Sequence, residues 1–337
     1  MVRFWRLPFA ALVVCTAGCG GGDSAPHAAS ATVVDITGVD IAYDSTRNLV
    51  YVASAATDPT YAGEVVAVSL SPLAVIQAGP LPASVGHPPA CLALSGDGTT
   101  IYVGSTDGTI SSISLKSGFV TSPLITLPAG TVPSQMRTLP GTTGSFVVST
   151  TSAGADAGTW IYNGALARPN FAMIGQAIAV NSSGAAVYGF NTTTGQYTAA
   201  TVSALGLAAG HPVQTAATAQ YDAIHVGGSS SEPKIVVSDG TVLDAASGDQ
   251  LGKISLPVGD LADAAPVPGS QEAYFAEYPG GKLTQTIQGF NVSQLTEIGA
   301  GLPAKGTGAV TRCIWNGPHK IAYVSSNSQV VFASGLP

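Results

Sequence analysis

Residues Ser95 to Gly118 read SGDGTTIYVGSTDGTISSISLKSG: two short apolar runs, a turn signal between them and another at each end. Clusters of Gly, Asp and Ser around β-branched runs mark strands joined by tight turns. The first part, SGDGTTIYV, has gap-free counterparts at Asp44–Val52 (DSTRNLVYV), Asn181–Gly189 (NSSGAAVYG) and Asn316–Val324 (NGPHKIAYV). Looser copies stand at Leu139–Val147 (LPGTTGSFV) and Val267–Phe275 (VPGSQEAYF). Each copy is a turn and then an apolar strand carrying an aromatic near its end: Tyr51, Tyr102, Phe146, Tyr188, Tyr274 and Tyr323. Successive aromatics lie 51, 44, 42, 86 and 49 residues apart. The 86 spans two periods, and the missing copy falls near residue 235, where the chain reads SSSEPKIVVSDGTVLD. There Asp239-Gly240-Thr241 repeats Asp107-Gly108-Thr109. Seven units of about 40–50 residues is the period of propeller blades.

Unit two resolves into four expected strands: Ala90–Leu94, Thr100–Gly104, Thr109–Leu115 and Pro123–Leu127. A sheet of this size cannot bury both faces alone, so copies must pack on one another around an axis. The last unit ends at Pro337 without a fourth strand, whereas a spare strand, Ala31–Thr37 (ATVVDIT), precedes unit one. The expectation is an all-β, seven-bladed propeller over residues 31–337, monomeric, with the N-terminal strand completing the last blade and removing a free edge.

Composition agrees. Only 9% of the 337 residues are charged, 41 are Gly and 22 Pro, and 45% are hydrophobic; this suits a packed globule of short strands. The net charge is −7 with only 12 Lys and Arg and no basic cluster, which excludes a nucleic-acid partner because phosphate neutralisation needs clustered cations.

The N-terminus reads MVRFWRLPFAALVVCTAGCGGGDS. Arg3 and Arg6 precede an apolar run, Leu7–Val14, too short to span a bilayer. Small residues, Thr16-Ala17-Gly18, then lead to Cys19. This resembles a bacterial lipoprotein signal peptide, although Thr16 stands where Leu is commoner. The resemblance implies cleavage after residue 18, acylation of Cys19, a flexible tether over residues 19–30 and stable anchoring by several acyl chains. The implied location is the bacterial cell envelope, at the outer membrane or periplasmic face. An ordinary secretory leader with an incidental cysteine is the alternative. Cys91 and Cys313 remain, and an oxidising compartment permits a disulfide between them; two buried thiols fit as well. In the expected strand register they fall on opposite faces.

Val85–Gly118, with the pairs Tyr51-Val52, Tyr102-Val103 and Tyr323-Val324, is similar to the YVTN-type repeat, also found in lactonase-like seven-bladed propellers. The resemblance covers about 300 residues and implies architecture; the functions hosted by that fold are diverse.

Catalytic signatures are missing. There is no His-Glu-x-x-His, Gly-x-Ser-x-Gly or Cys-x-x-Cys, and GLPAKGTG (Gly301–Gly308) lacks the Gly-Lys order of a phosphate loop. No metal or cofactor is expected. Aligning the innermost strands puts Asp40, Cys91, Gln135, Ala177, Asp263 and Arg312 at one position, and Ala42, Ala93, Arg137, Ala179, Ala265 and Ile314 two residues later on the same face. In so uncharged a chain, Asp40, Gln135, Arg137, Asp263 and Arg312 mark either an axial ligand pocket or a structural ion network with Arg312 between two aspartates. His87 and His211, each before a proline, and Asp58 and Tyr61, at the tip of the long loop Ala55–Gly63, are candidate ligand contacts on the loop face. Two functional readings stand: a binding or scaffold module serving an envelope protein or a small molecule, and a lactonase-like hydrolase in which Asp40 or Asp263 activates water while an arginine holds the substrate.

Overall fold

The computed structural model describes residues 29–80, 88–217, 224–229, 231–256, 262–278, 285–304, 306–327 and 329–337. The leader with Cys19, and His87, lie outside the described residues. Seven antiparallel sheets follow one another around an axis. In each, strand a is innermost and strands b, c and d succeed it outward. In blade two, strand a is Pro89–Leu94, b is Thr100–Ser105, c is Thr109–Ser114 and d is Val120–Thr126, each overlapping the strand expected from the repeat.

Blade seven contributes only three strands from the C-terminal segment. Its fourth is the N-terminal strand Ser30–Val34, which pairs antiparallel with Val330–Ser334, Ser30 opposite Ser334 and Val34 opposite Val330. The ring is therefore closed by hydrogen bonds between the two ends of the propeller, as the spare strand implied. The unit that matched the repeat least is also present: Glu232–Val237 is strand b of blade five, paired with Ile224–Ser229.

The core is not a single centre. Among the described residues it divides into seven clusters, one at each interface between adjacent blades. Between blades one and two, Tyr51, Ala53 and Val65 meet Leu92, Ile101 and Val103. Between blades two and three, Tyr102 and Ile110 meet Met136, Phe146 and Val148. Strand alternation produces this, sending successive side chains of one blade to its two neighbours.

Two aromatics of the repeat do not go where the gap-free alignment sends them. Tyr51, Tyr102, Tyr188 and Tyr274 pack toward the following blade. Phe146 and Tyr323 instead pack toward the preceding one. The cause is turn length. In blade two, Leu94 pairs with Ile101, leaving six residues in the a–b connection. In blade three, Thr138 pairs with Phe146, leaving seven; in blade seven, Trp315 pairs with Ile321, leaving five. One residue more or less flips every side chain of the next strand, so Val147 and Ala322 face the following blade in these two units.

Close approach of backbone is needed at Gly189, where a Cβ would come 2.2 Å from the Ile174 carbonyl oxygen, nearer than any real Cβ contact. No helix among the described residues is long and apolar enough to cross a membrane.

Removing the closing strand exposes Val330–Ser334 as an unpaired edge and uncovers part of the blade-seven interface. Deletion of residues up to Val34 is expected to lower Tm by about 5 °C or more and to promote self-association. Calorimetry and size-exclusion chromatography check this; an unchanged Tm contradicts the closure.

Candidate functional site

The axial ends of the strands a carry the polar residues singled out in the sequence, and most of them bridge one blade to the next. Asp40, on strand a of blade one (Gly38–Asp44), accepts the Leu92 N–H of blade two through Oδ2 at 2.8 Å. Gln135, on blade three (Val132–Thr138), accepts the Ile178 N–H of blade four through Oε1 at 2.8 Å. Asp263, on blade six (Asp263–Pro266), accepts the Cys313 N–H of blade seven through Oδ2 at 2.7 Å. All three acceptors are buried and occupy the same repeat position, and all three donors occupy the next position of the following blade. These are interblade clamps: a strand-a amide with no backbone partner on that side takes a side-chain oxygen from its neighbour.

The remaining oxygens are also engaged. Asp40 Oδ1 accepts the Ile41 N–H at 2.8 Å and lies 3.0 Å from Arg312 Nε, an ion pair between blades one and seven. Asp263 Oδ1 lies 2.8 Å from His225 Nε2. Of the expected ion network, Arg312 pairs with Asp40, and the described partners of Asp263 include His225 and the Cys313 amide. His225 sits on strand a of blade five (Ile224–Ser229), opposite Val236 of strand b. Burial pushes the Arg312 guanidinium down to about 10, with the charge of Arg137 adding to the effect and Asp40 opposing it. Burial likewise lowers Arg137, against the pull of Asp40 and Asp263.

In blades one, two, three and seven a β-bulge directly precedes the clamp position, at Gly38/Asp40, Pro89/Cys91, Pro133/Gln135 and Val310/Arg312. A bulge re-aims one side chain. The bulged residues Val39, Ala90, Ser134 and Thr311 line, together with Asp40, Arg137 and Arg312, an axial cavity of about 260 Å³ on the b–c loop face. A second cavity of about 320 Å³ opens at the other end, beside the a–b turns, and Arg137 and His225 line it.

Other expectations change in the structure. Cys91 and Cys313 are both free and buried, facing blades three and six respectively, so the permitted disulfide is not formed. Burial, and then the nearby Asp40 for Cys91 and Asp263 for Cys313, push both thiols up, which makes them poor nucleophiles. Asp58 is not exposed at a loop tip. It is buried and accepts the N–H groups of Thr37, Thr60 and Tyr61 at 2.6, 2.8 and 2.6 Å, fastening the loop to the segment that leads from the closing strand into blade one. Burial raises its pKa, but these donors outweigh burial and hold it below the usual carboxylate range. Tyr61 is half-buried against the interface of blades seven and one. His211 is exposed but far from an inner strand, lying between Gly206–Ala209 and Val213–Gln214 at the outer side of blade four. Among the described residues no three His, Cys, Asp or Glu side chains group to hold a metal ion.

No family model matches the chain and no curated protein matches it. Among solved structures, the chain is similar to the Cps50 (Swd1) β-propeller domain of Myceliophteria thermophila. The identity is 10%, the match covers 90% of this chain and 99% of that one, and the TM-score is 0.64. At this identity the likeness shows the fold alone.

Two predictions follow from the geometry. Gln135→Leu leaves the Ile178 N–H without its acceptor and is expected to cost about 1–3 kcal/mol, read as a lower urea midpoint; an unchanged midpoint refutes the clamp. Asp58→Ala is expected to destabilise at neutral pH. Because the folded pKa of Asp58 is depressed, its contribution is present above the ordinary carboxylate value of about 4 and disappears as pH falls through the folded value. Wild type and variant should therefore converge in acid, and a difference that persists below pH of about 2 contradicts the assignment.

Proposed function

We propose that the protein is a lipid-anchored propeller of a bacterial cell envelope, attached through Cys19, that acts as a binding or scaffold module. The observation that carries the reading is the engagement of its axial carboxylates. A hydrolase of the lactonase-like kind needs a carboxylate free to activate water. Asp40 has a backbone donor on each oxygen and Arg312 beside one; Asp263 is held by the Cys313 amide and His225. Both hold blades together, which leaves a rigid ring whose ends and loops are available for recognition. The similarity of the leader to lipoprotein signal peptides supports the anchor, and the YVTN-type repeat supports the architecture. The tether would meet the propeller at the rim of blade seven, where Ser30 opens the closing strand, and not at the axis.

The test has two parts. Cells labelled with palmitate are expected to yield a labelled membrane-bound protein and, with Cys19→Ser, an unlabelled one released from the membrane; labelling of Cys19→Ser refutes the anchor. Wild-type protein given sugar lactones is expected to show no turnover. Turnover that disappears with a folded Asp40→Asn or Asp263→Asn variant would replace the binding reading with the hydrolase.

A further inference from the structure

Exposed apolar side chains are not spread evenly over the propeller. Among the described residues seven large ones are exposed, and four of these, Val120, Leu166, Leu205 and Leu251, are between 51% and 75% exposed at one kind of place. Each stands in the c–d hairpin of its blade, at or next to the start of strand d. Val120 opens strand d of blade two, opposite Ser114. Leu166 opens the two-residue strand d of blade three (Leu166–Ala167), opposite Asn163. Leu205 lies in the turn between Ser203 and Gly206 of blade four. Leu251 is the second residue of strand d of blade five (Gln250–Lys253), where Gln250 faces Leu243. The four blades are consecutive. Of the other three, Ile76 lies within strand d of blade one, and Phe171 and Met173 lie in the connection from blade three to blade four. None of the seven stands in a b–c hairpin.

Single exposed leucines are ordinary on a protein surface; the placement of these sets them apart. Antiparallel alternation puts every c–d hairpin at the same end of its blade, the end that also carries the a–b turns. The four side chains therefore form an arc on the outer rim of this turn face. The chain enters the propeller at the same level. Ser30, the first residue of the closing strand, pairs with Ser334 at the end of strand c of blade seven, so it holds in blade seven the place that Val120 and Leu166 hold in theirs. Eleven residues (19 to 30) separate it from Cys19, a reach of about 36 Å when fully extended. That reach brings either face of the ring to a surface at Cys19, and the apolar arc selects one of them. Lys116, Lys320, Asp97 and Asp249 put both signs of charge on the turn face, which suits a zwitterionic surface over an anionic one.

We propose that the turn face is the membrane-facing side of the anchored propeller, with Val120, Leu166, Leu205 and Leu251 seated in the headgroup region of a zwitterionic lipid leaflet. This rests on the reading of Cys19 as the lipid attachment site and deepens it by naming the face that the anchor holds down. Apolar side chains leave water on entering that region. Four such contacts are weak alone, but a tether that keeps the propeller at the surface raises their effective concentration, so weak contacts suffice. The opposite face, with the b–c hairpins and the connections between blades, then points away from the membrane and is the side open to a partner.

The probe is the lipidated full chain, inserted from detergent into phosphatidylcholine vesicles, with one environment-sensitive fluorophore on an introduced cysteine. Cys91 and Cys313 are buried and do not compete for the label. Leu166→Cys and Leu205→Cys carry the fluorophore on the turn face. Ser152→Cys carries it on the exposed b–c hairpin at the other end of blade three, roughly 20–25 Å away along the strands. Phosphatidylcholine spin-labelled near the headgroup end of its acyl chain is expected to quench both turn-face labels at least about twofold and to leave the Ser152 label unchanged. A label at Leu251→Cys is expected to lose about half of its quenching when Leu166→Ser and Leu205→Ser are introduced together. The substituted side chains are exposed, and circular dichroism checks that the fold is kept. Equal or stronger quenching at Ser152, no quenching at Leu166 and Leu205, or no effect of the serine pair would each overturn the proposal. Flotation of palmitate-labelled wild type with the vesicles is read separately. A chain that does not float overturns the anchor reading and this one with it, whereas a chain that floats without contrast between the two faces overturns the orientation alone.

Discussion

Each blade of this propeller presents two apolar faces, and neither can be buried except against a neighbouring blade. Everything else in the structure depends on that constraint. A row of such sheets has unsatisfied faces at its ends until the first and last blades meet, so the ring must close. Closure is achieved twice over. At the rim the N-terminal strand joins the C-terminal three. Near the axis side-chain oxygens from one blade take up amides of the next, and the Arg312–Asp40 ion pair spans the junction between the last blade and the first.

The polar axial residues have the same physical origin. Strand a is the edge of its sheet, and edges carry unpaired backbone groups. Around an axis too crowded for another strand, an amide on that edge can be satisfied only by a side chain. An aspartate or glutamine placed there relieves it, at the cost of burying a polar or charged group, and the cost is tolerable because each oxygen finds a donor. The same arrangement engages both oxygens of Asp40 and of Asp263.

Much of this was legible in the sequence, and the reasons differ from element to element. The SGDGTTIYV repeat and its spacing showed seven blades because a blade's turn and strand b are set locally, by Gly, Asp and alternation. The spare strand at residues 31–37 showed the closure by arithmetic. The alignment placed Asp40, Gln135, Asp263 and Arg312 on one axial layer, and they stand there. It misplaced Phe146 and Tyr323 because turn length alone decides which face strand b presents, and the gap-free copies concealed one residue more or less. It missed the pairing of His225 with Asp263 because blade five carries the weakest copy; reading Ile224–Ser229 as an inner strand, through its pairing with KIVV, would have put the histidine among the axial residues. It read Asp58 as exposed because a carboxylate in a polar loop looks solvated, and no local pattern reveals three backbone donors converging on it.

The clamps are the centre of the account, and native-state hydrogen exchange reads them directly. The amides of Leu92, Ile178 and Cys313 donate to side chains of the preceding blade. They are expected to exchange as slowly as the buried strand-b amides of their own blades, through opening of the whole ring. Rapid exchange at these three amides, with strand b still protected, would mean that the axial side chains do not hold the blades together and would contradict the account.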